Sequence, residues 1–332
     1  MNTIKKYGLL VLIALPGIGA MAQPQGLFSQ YALNKFLYNP AIAGVDGYTT
    51  INLLAKQEMV GFDNAPTTFV LSGQTRLLED SYIMKMLHVK KEENKASRSG
   101  NVGIGASIFS DHNGIISKTG FQLTYAYHIN FDNKYQLSFG LSMAGYQFRL
   151  NDGGAVIIDN TDPVLEKKSF FNLDANAGTF LLTDNYYVGA SVSNLFESPL
   201  KLGRDPLKDY KVPRSYYFLG GYKWFPVDNF KIEPSFIVQA TQNNFIVDVN
   251  TTANYNDQYW IGVSYRTTKA VILMAGVGIR NLYFGYAYDM NLNEVRNYTS
   301  GSHEFIMGIR LGDNDARRSR WVHKEMKTFE NK

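Results

Sequence analysis

A period of two, returning about fourteen times after Tyr48, constrains this chain more than any other feature. In YQLSFGLSMAGYQF, Tyr135, Leu137, Phe139, Leu141 and Met143 share one face, while Gln136, Ser138, Gly140, Ser142 and Ala144 share the other. In FNLDANAGTFL, Phe171, Leu173, Ala175 and Ala177 alternate with Asn172, Asp174, Asn176 and Gly178. FQLTYAYH (121–128) and LYFGYAYD (282–289) repeat the pattern. Strict alternation of this kind specifies strands with one apolar face. A soluble sandwich buries that face, whereas a membrane barrel turns it towards lipid. Length separates the two, because sandwich strands run to about 5–6 residues and membrane strands to about 9–11. Several segments here continue for ten residues or more. Their opposite faces are rich in Gly, Ser, Asn, Asp and Gln, as a wet lumen requires. Aromatics gather near strand ends, at Tyr186-Tyr187, Tyr216-Tyr217, Trp224-Phe225 and Tyr259-Trp260, as in an interfacial girdle. The expected fold is all-β: one transmembrane antiparallel β-barrel of about fourteen strands, a single domain over 48–311.

The expected strands lie at 48–58, 67–78, 101–111, 117–129, 134–149, 170–182, 186–194, 214–225, 230–240, 244–255, 258–266, 270–280, 282–289 and 303–311. The number is even, as single-chain bacterial outer-membrane barrels have it. With the first strand starting at the periplasmic side, NFDNK, TDN, FPVDN, NDQ and RNL become short periplasmic turns. The longer connections at 150–169, 195–213 and 290–302 become extracellular loops. Glu79 to Gly100 breaks the rule as a long periplasmic connection, readable either as a solvated insertion or as a docking surface. Composition agrees with a surface facing lipid: aromatics reach 14% and charged residues only 19%, below the ~25% of soluble domains. A net charge of +4 is too small for the concentrated basic face that nucleic-acid binding needs.

Residues 1–22 read as a secretory signal peptide, with Lys5 and Lys6 before the apolar run YGLLVLIALPGIGA and a small-x-small site at Ala20 to Ala22. Gln23 then starts the mature chain, which is bound for the outer membrane. The alternative, a membrane anchor, fits poorly, because the run is shorter than the ~20 residues a spanning helix needs. Pro16-Gly17 also interrupts it. After Leu311 the alternation stops, and 312–332 form a charged periplasmic tail, either disordered or ordered by a partner.

The remaining patterns carry no chemical signature. The chain has no Cys, and its five histidines are scattered without ligand spacing, which argues against a metal site. GIGAS (103–107) lies inside an alternating strand, so its glycines are small lumen-facing residues rather than a phosphate loop. His128 with Asp132, or His112 with Asp111 and Ser110, make triads only on paper. No catalytic, cofactor or metal residues are expected, and the chain is read as a non-enzyme.

FSQYALNKFLYNPAIAG (28–44) resembles the N-terminal signature of the PorP/SprF family of type IX secretion and gliding-motility outer-membrane proteins. AKQEMVGFDNAPTTFVLSG (55–73), VGIGASIFSDHNGIISKTGFQLTYAYHI (102–129) and YDMNLNEVRNYTSGSHEFIMGIRL (288–311) resemble its later blocks in order. Glu58-Met59 stands where an aromatic is expected, and the tail is long. The resemblance implies a binding role without catalysis. It implies partners among periplasmic peptidoglycan-binding or secretion-ring proteins, and secreted surface adhesins as cargo. The signature positions Phe28, Ser29, Gln30, Tyr31, Tyr38, Asn39, Pro40 and Gly44 belong to a segment, 23–47, placed at the periplasmic mouth. Tyr31 and Tyr38 have apolar bodies and polar tips suited to a wet lumen. Asn39-Pro40 and Gly44 supply turns that fold the segment back under the first strand. It is read as a plug or docking element, with an inert lead-in as the alternative. A passive channel or hydrophobic-solute transporter is the rival function.

Overall fold

The computed structural model describes residues 26–77, 101–131, 135–150, 169–198, 211–227 and 229–311. The leader (1–22), the connection at 79–100, most of the 150–169 and 195–213 loops and the tail at 312–332 lie outside the described residues. The strands are β1 (Thr49–Gln57), β2 (Thr67–Arg76), β3 (Val102–Asn113), β4 (Ile116–Phe131), β5 (Tyr135–Leu150), β6 (Ser169–Thr183), β7 (Tyr186–Ser193), β8 (Ser215–Tyr222) and β9 (Trp224–Val227). They continue with β10 (Phe230–Thr241), β11 (Asn244–Tyr255), β12 (Tyr259–Arg266), β13 (Ala270–Ile279), β14 (Leu282–Asn291) and β15 (Ser302–Leu311).

Every pairing is antiparallel and joins sequence neighbours, except that β8 and β9 both pair with β10 and that β1 pairs with β15. They are two halves of one strand interrupted at Lys223, and the register shifts between Phe230 and Ile232. β1 pairs with β15 from Thr49↔Leu311 to Gln57↔His303, which closes the ring. The result is a fourteen-strand antiparallel barrel. Each expected strand falls on an observed one to within two residues, and the expected strand at 214–225 is the interrupted pair β8–β9. The end where β1 begins and β15 finishes is called the near end, and the opposite mouth the far end. The tight turns at 184–185, 256–258 and 280–281 lie at the near end, and the connections at 58–66 and 292–301 at the far end.

Alternation becomes an inside-out distribution of polarity. Outward side chains such as Leu53, Phe69, Leu123, Leu141, Leu173, Ile261 and Phe305 are exposed, while inward Asn52, Ser72, Ser138, Asn176, Asp248, Asn250 and Glu304 are buried. A soluble protein has no use for that arrangement, and a lipid-facing barrel requires it. Inward polar groups pair across strands: Thr124 and Ser142 share a hydrogen bond of 2.7 Å, Asn176 Nδ2 donates to Gln122 Oε1 at 3.0 Å, and Thr68 Oγ1 donates to Asp111 at 2.6 Å. The main hydrophobic cluster sits in the lumen. Leu27, Phe28, Tyr31, Phe36, Tyr38 and Ile42 pack there against inward Leu54, Phe180, Ile237, Trp260 and Ile306. The barrel therefore has an apolar core only because the N-terminal segment supplies half of it.

Candidate functional site

Residues 26–47 pass through the lumen from one end to the other. At the far end, Lys56 Nζ donates to the Leu27 carbonyl at 2.9 Å and pairs with Glu58 at 2.8 Å. The Ser29 and Gln30 backbone N–H groups donate to the Glu304 carboxylate at 2.7 and 2.9 Å, and Ser29 Oγ donates to Asp289 at 2.6 Å. Lys56, Asp289 and Glu304 occupy the far ends of β1, β14 and β15, so residues 27–30 are fixed at that mouth. Midway, Tyr31 meets Ser235 at 3.1 Å, Asn34 Nδ2 donates to Ser72 at 2.9 Å, and Ser191 Oγ donates to the Tyr38 carbonyl at 2.6 Å. At the near end, His128 Nε2 donates to the Ala43 carbonyl at 3.0 Å, and the Gly44 N–H donates to Gln74 at 3.3 Å.

The local sequence explains the compact path. Two short 3₁₀ turns, Lys35–Leu37 and Pro40–Ile42, bend the segment. Asn39 caps the second by accepting from the Ala41 N–H at 2.9 Å, and Pro40 takes the first helical position, where no N–H is needed. Asn39 Nδ2 also donates to the Thr179 and Ala190 carbonyls at 2.9 and 3.3 Å, tying the turn to β6 and β7. Gly44 has φ +74°, and a Cβ there would lie 2.6 Å from the Thr75 carbonyl, so only glycine fits.

The wall is shaped to match. A Cβ on Gly103 would fall on the Ala43 carbonyl, on Gly140 on the Pro40–Ala41 backbone, on Gly178 on Asn39 and on Gly285 on Gln30. On Gly105 it would lie 2.6 Å from the Phe36 ring, and on Gly189 2.8 Å from Asn39 Nδ2. These six glycines, from β3, β5, β6, β7 and β14, form an imprint of the segment. Inward glycine in a strand marks close approach of other atoms: at Gly103 and Gly140 these are the segment's backbone, and at the other four they are side chains of Gln30, Phe36 or Asn39.

Electrostatics concentrate at the far mouth. Arg266 pairs with Asp248 at 2.9 Å and with Asp289 at 3.3 Å, beside the Lys56–Glu58 pair. The Lys56 ammonium holds the Glu58 carboxyl below its usual range. Nearer the other end, Lys35 reaches Glu233 at 3.6 Å and lies 4.4 Å above the Tyr187 ring. Buried pairs of this kind fix geometry more than they add stability, but deleting one partner leaves an uncompensated charge.

Phe28, Ser29, Gln30, Tyr31, Tyr38, Asn39, Pro40 and Gly44 are thus brought together inside the barrel, buried or nearly so. Their path differs from the expected cap folded back under the first strand at the periplasmic mouth. The acceptors for Leu27 to Gln30 lie at the far end, while the glycine imprint lies in the near half of the barrel, so the segment crosses between the two. The sequence reading missed Asn34, Phe36 and the acidic set Asp289 and Glu304. Asp289 had one signal, a charge on the polar face of an otherwise uncharged strand, whereas Glu304 shares its strand with Arg310. Of the paper triads, Asp132 lies outside the described residues; His128 shares hydrogen bonds with Ser138 and the Ala43 carbonyl, and His112 bonds Ser117 at 2.8 Å. Among the described residues no three acidic or histidine side chains are placed to hold a metal ion.

Among solved structures, the chain is similar to the Acinetobacter baumannii outer membrane protein Omp33 (8% identity, 80% of this chain and 100% of that one, TM-score 0.43). It is also similar to the TodX monoaromatic hydrocarbon channel, as a deltaS2S3 mutant (11% identity, 83% and 92%, TM-score 0.44), and to the KdgM porin (8%, 80% and 99%, TM-score 0.33). At such distances only the general barrel form is shared, and the strand pairing above already establishes it. No curated protein matches the chain. Residues 20–309 match the family of the type IX secretion system membrane protein PorP/SprF. That match runs from before the lumenal segment to the last strand, and the chain belongs to this family of outer-membrane secretion components.

Proposed function

We propose that this protein is a non-enzymatic scaffold of the type IX secretion system, a barrel closed by its own N-terminal segment. It would dock periplasmic peptidoglycan-binding or secretion-ring proteins at the near end and support export or surface attachment of adhesins at the far end. The near end, with its short turns, is assigned to the periplasm on the loop rule for outer-membrane barrels. The observation that carries the reading is the seating of residues 26–47 on six inward glycines. A channel has no reason to fill its lumen with a buried hydrophobic cluster, whereas a scaffold gains rigidity from it. Signal-peptide export and a part in gliding motility belong to the same reading.

The test is affinity purification of the tagged protein from gently solubilised outer membranes, with conductance of the pure protein in planar bilayers. Recovery of peptidoglycan-binding or secretion-ring proteins, or of a large surface adhesin, together with a silent bilayer, is the expected result. A barrel that purifies alone and conducts ions, or passes hydrophobic solutes, overturns the scaffold reading in favour of a channel or transporter.

A further inference from the structure

We infer that the chain is threaded through its own barrel, so that the N-terminus left by leader removal is displayed at the mouth opposite the C-terminal strand end. β1 leads into the lumen at the near end, and its preceding segment leaves at the far end. Gly26 is the last described residue on that path, and a Cβ on it would lie 2.8 Å from Glu58, which directly follows the far end of β1. A small cavity of about 60 Å³ opens at the same point. It is lined by Gly26, Met59, Thr268, Asn291 and Ser302, all at far-end turns or strand ends.

Chain geometry makes the inference independent of how the preceding residues are arranged. Only Gln23, Pro24 and Gln25 separate Gly26 from the processing site after Ala22. Three residues reach at most about 11 Å when fully extended. The apolar band of such barrels is about 25 Å tall. The new N-terminus therefore cannot return to the near end, and the lumen it would need is filled by residues 27–45. An ion cluster holds the exit in place. Four carboxylates, Glu58, Asp248, Asp289 and Glu304, share it with two cations, Lys56 and Arg266. That balance favours a positively charged amino terminus nearby.

Threading has an order built into it. With the leader attached, seating the segment would carry an apolar run of fourteen residues, YGLLVLIALPGIGA, through and beyond the far mouth. Removal of the leader must precede seating. The surface end then offers the new amino terminus, continuous with the periplasmic side through one covalent chain, at the mouth where cargo would be held.

The inference rests on the leader and orientation readings and not on the secretion role, so a failed search for secretion partners would leave it standing. The chain has no Cys, which makes single-cysteine labelling clean. Gln25→Cys would be compared with Thr267→Cys in a far-end turn and Gln258→Cys in a near-end turn. Each is treated in intact cells, after outer-membrane permeabilisation and after denaturation with a membrane-impermeant maleimide–biotin. Threading predicts that Gln25→Cys tracks Thr267→Cys to within about twofold and differs about tenfold from Gln258→Cys in intact cells, because thiol access sets the labelling. If Gln25→Cys tracks Gln258→Cys, the segment re-enters at the near end and the inference fails. It fails equally if the thiol is reached only after denaturation.

Discussion

Replacing Gly140 with Ala adds one methyl group to the inner face of β5, and the seated segment decides what that methyl costs. The new Cβ falls on the Pro40–Ala41 backbone, and even Ala41 Cα, 2.6 Å away, must retreat by about 0.8 Å to reach ordinary contact at 3.4 Å. The obstacle is backbone inside a capped 3₁₀ turn, so it cannot swing aside as a side chain would. Asn39 anchors that turn to Thr179 and Ala190, and His128 anchors the Ala43 carbonyl three residues later. Overpacking of a well-filled site costs about 1–3 kcal/mol. At 1.4 kcal/mol per tenfold, the unseated fraction rises about 5- to 150-fold. The strand itself tolerates alanine, since Gly140 needs no positive φ. The barrel should therefore keep its heat-resistant migration on gels while single-channel openings in planar bilayers become frequent. Gly114→Ala is a control of a different kind, because nothing lies within 4 Å of its Cβ and any effect there comes from φ +59° alone. A folded Gly140→Ala barrel as silent as the parent would refute the claim that the segment fills the lumen at β5.

Further expectations follow from individual contacts. Asn39→Asp should unseat the turn more than Asn39→Ala, because the new carboxylate would face the Thr179 and Ala190 carbonyls that the amide now satisfies; limited proteolysis within residues 30–45 reads the order. Glu304→Gln weakens the acceptor for the Ser29 and Gln30 N–H groups, each worth about 1.5–3 kcal/mol as a bond to a charged group. It should raise cleavage near Leu27 to Gln30 while leaving Gly44 protected. Glu58 has its carboxyl held below the ordinary value of 4.5 by Lys56, so its folded-state affinity for protons is weaker than in the unfolded chain. Its stabilisation is therefore complete above about pH 4.5 and is lost as pH falls through the lower, folded value. The melting temperature of the parent should drop more between pH 5 and 3 than that of Glu58→Gln, and equal slopes would disprove the pairing.

The strand ladder was legible because alternation reports directly on which side chain meets lipid and which meets the lumen. Leu137, Phe139 and Leu141 could face nothing but hydrocarbon once their segment exceeded sandwich length. The interruption at Lys223 was not legible, since Tyr222 and Trp224 keep a plausible strand composition on both sides, and only the shifted register with β10 splits them. The route of the N-terminal segment was hidden for a different reason. Its partners are single residues on β1, β2, β4, β6, β7, β10, β14 and β15, more than two hundred positions away in places, as with Ser29 and Glu304. No local period reports on such contacts.

The glycines were visible but under-read. Inward Gly103, Gly140 and Gly178 look like filler in a lumen thought to hold water, where a small residue is one choice among several. Against the seated segment they become necessities, each lying where a Cβ would meet the Ala43 carbonyl, the Pro40–Ala41 backbone or the Asn39 side chain. The distinction carries a mechanical consequence. A wall lined by serine and threonine could hold a segment by hydrogen bonds that water can replace one at a time. At Gly103 and Gly140 glycine lets backbone pack on backbone, and that contact is lost only by moving the turn as a whole. Polar clasps at the far mouth and a glycine bed below it therefore make different joints. The first responds to pH and salt, and the second responds to force along the segment. A segment that runs between the two mouths through both joints is held as a single element, which is what the proposed scaffold would require.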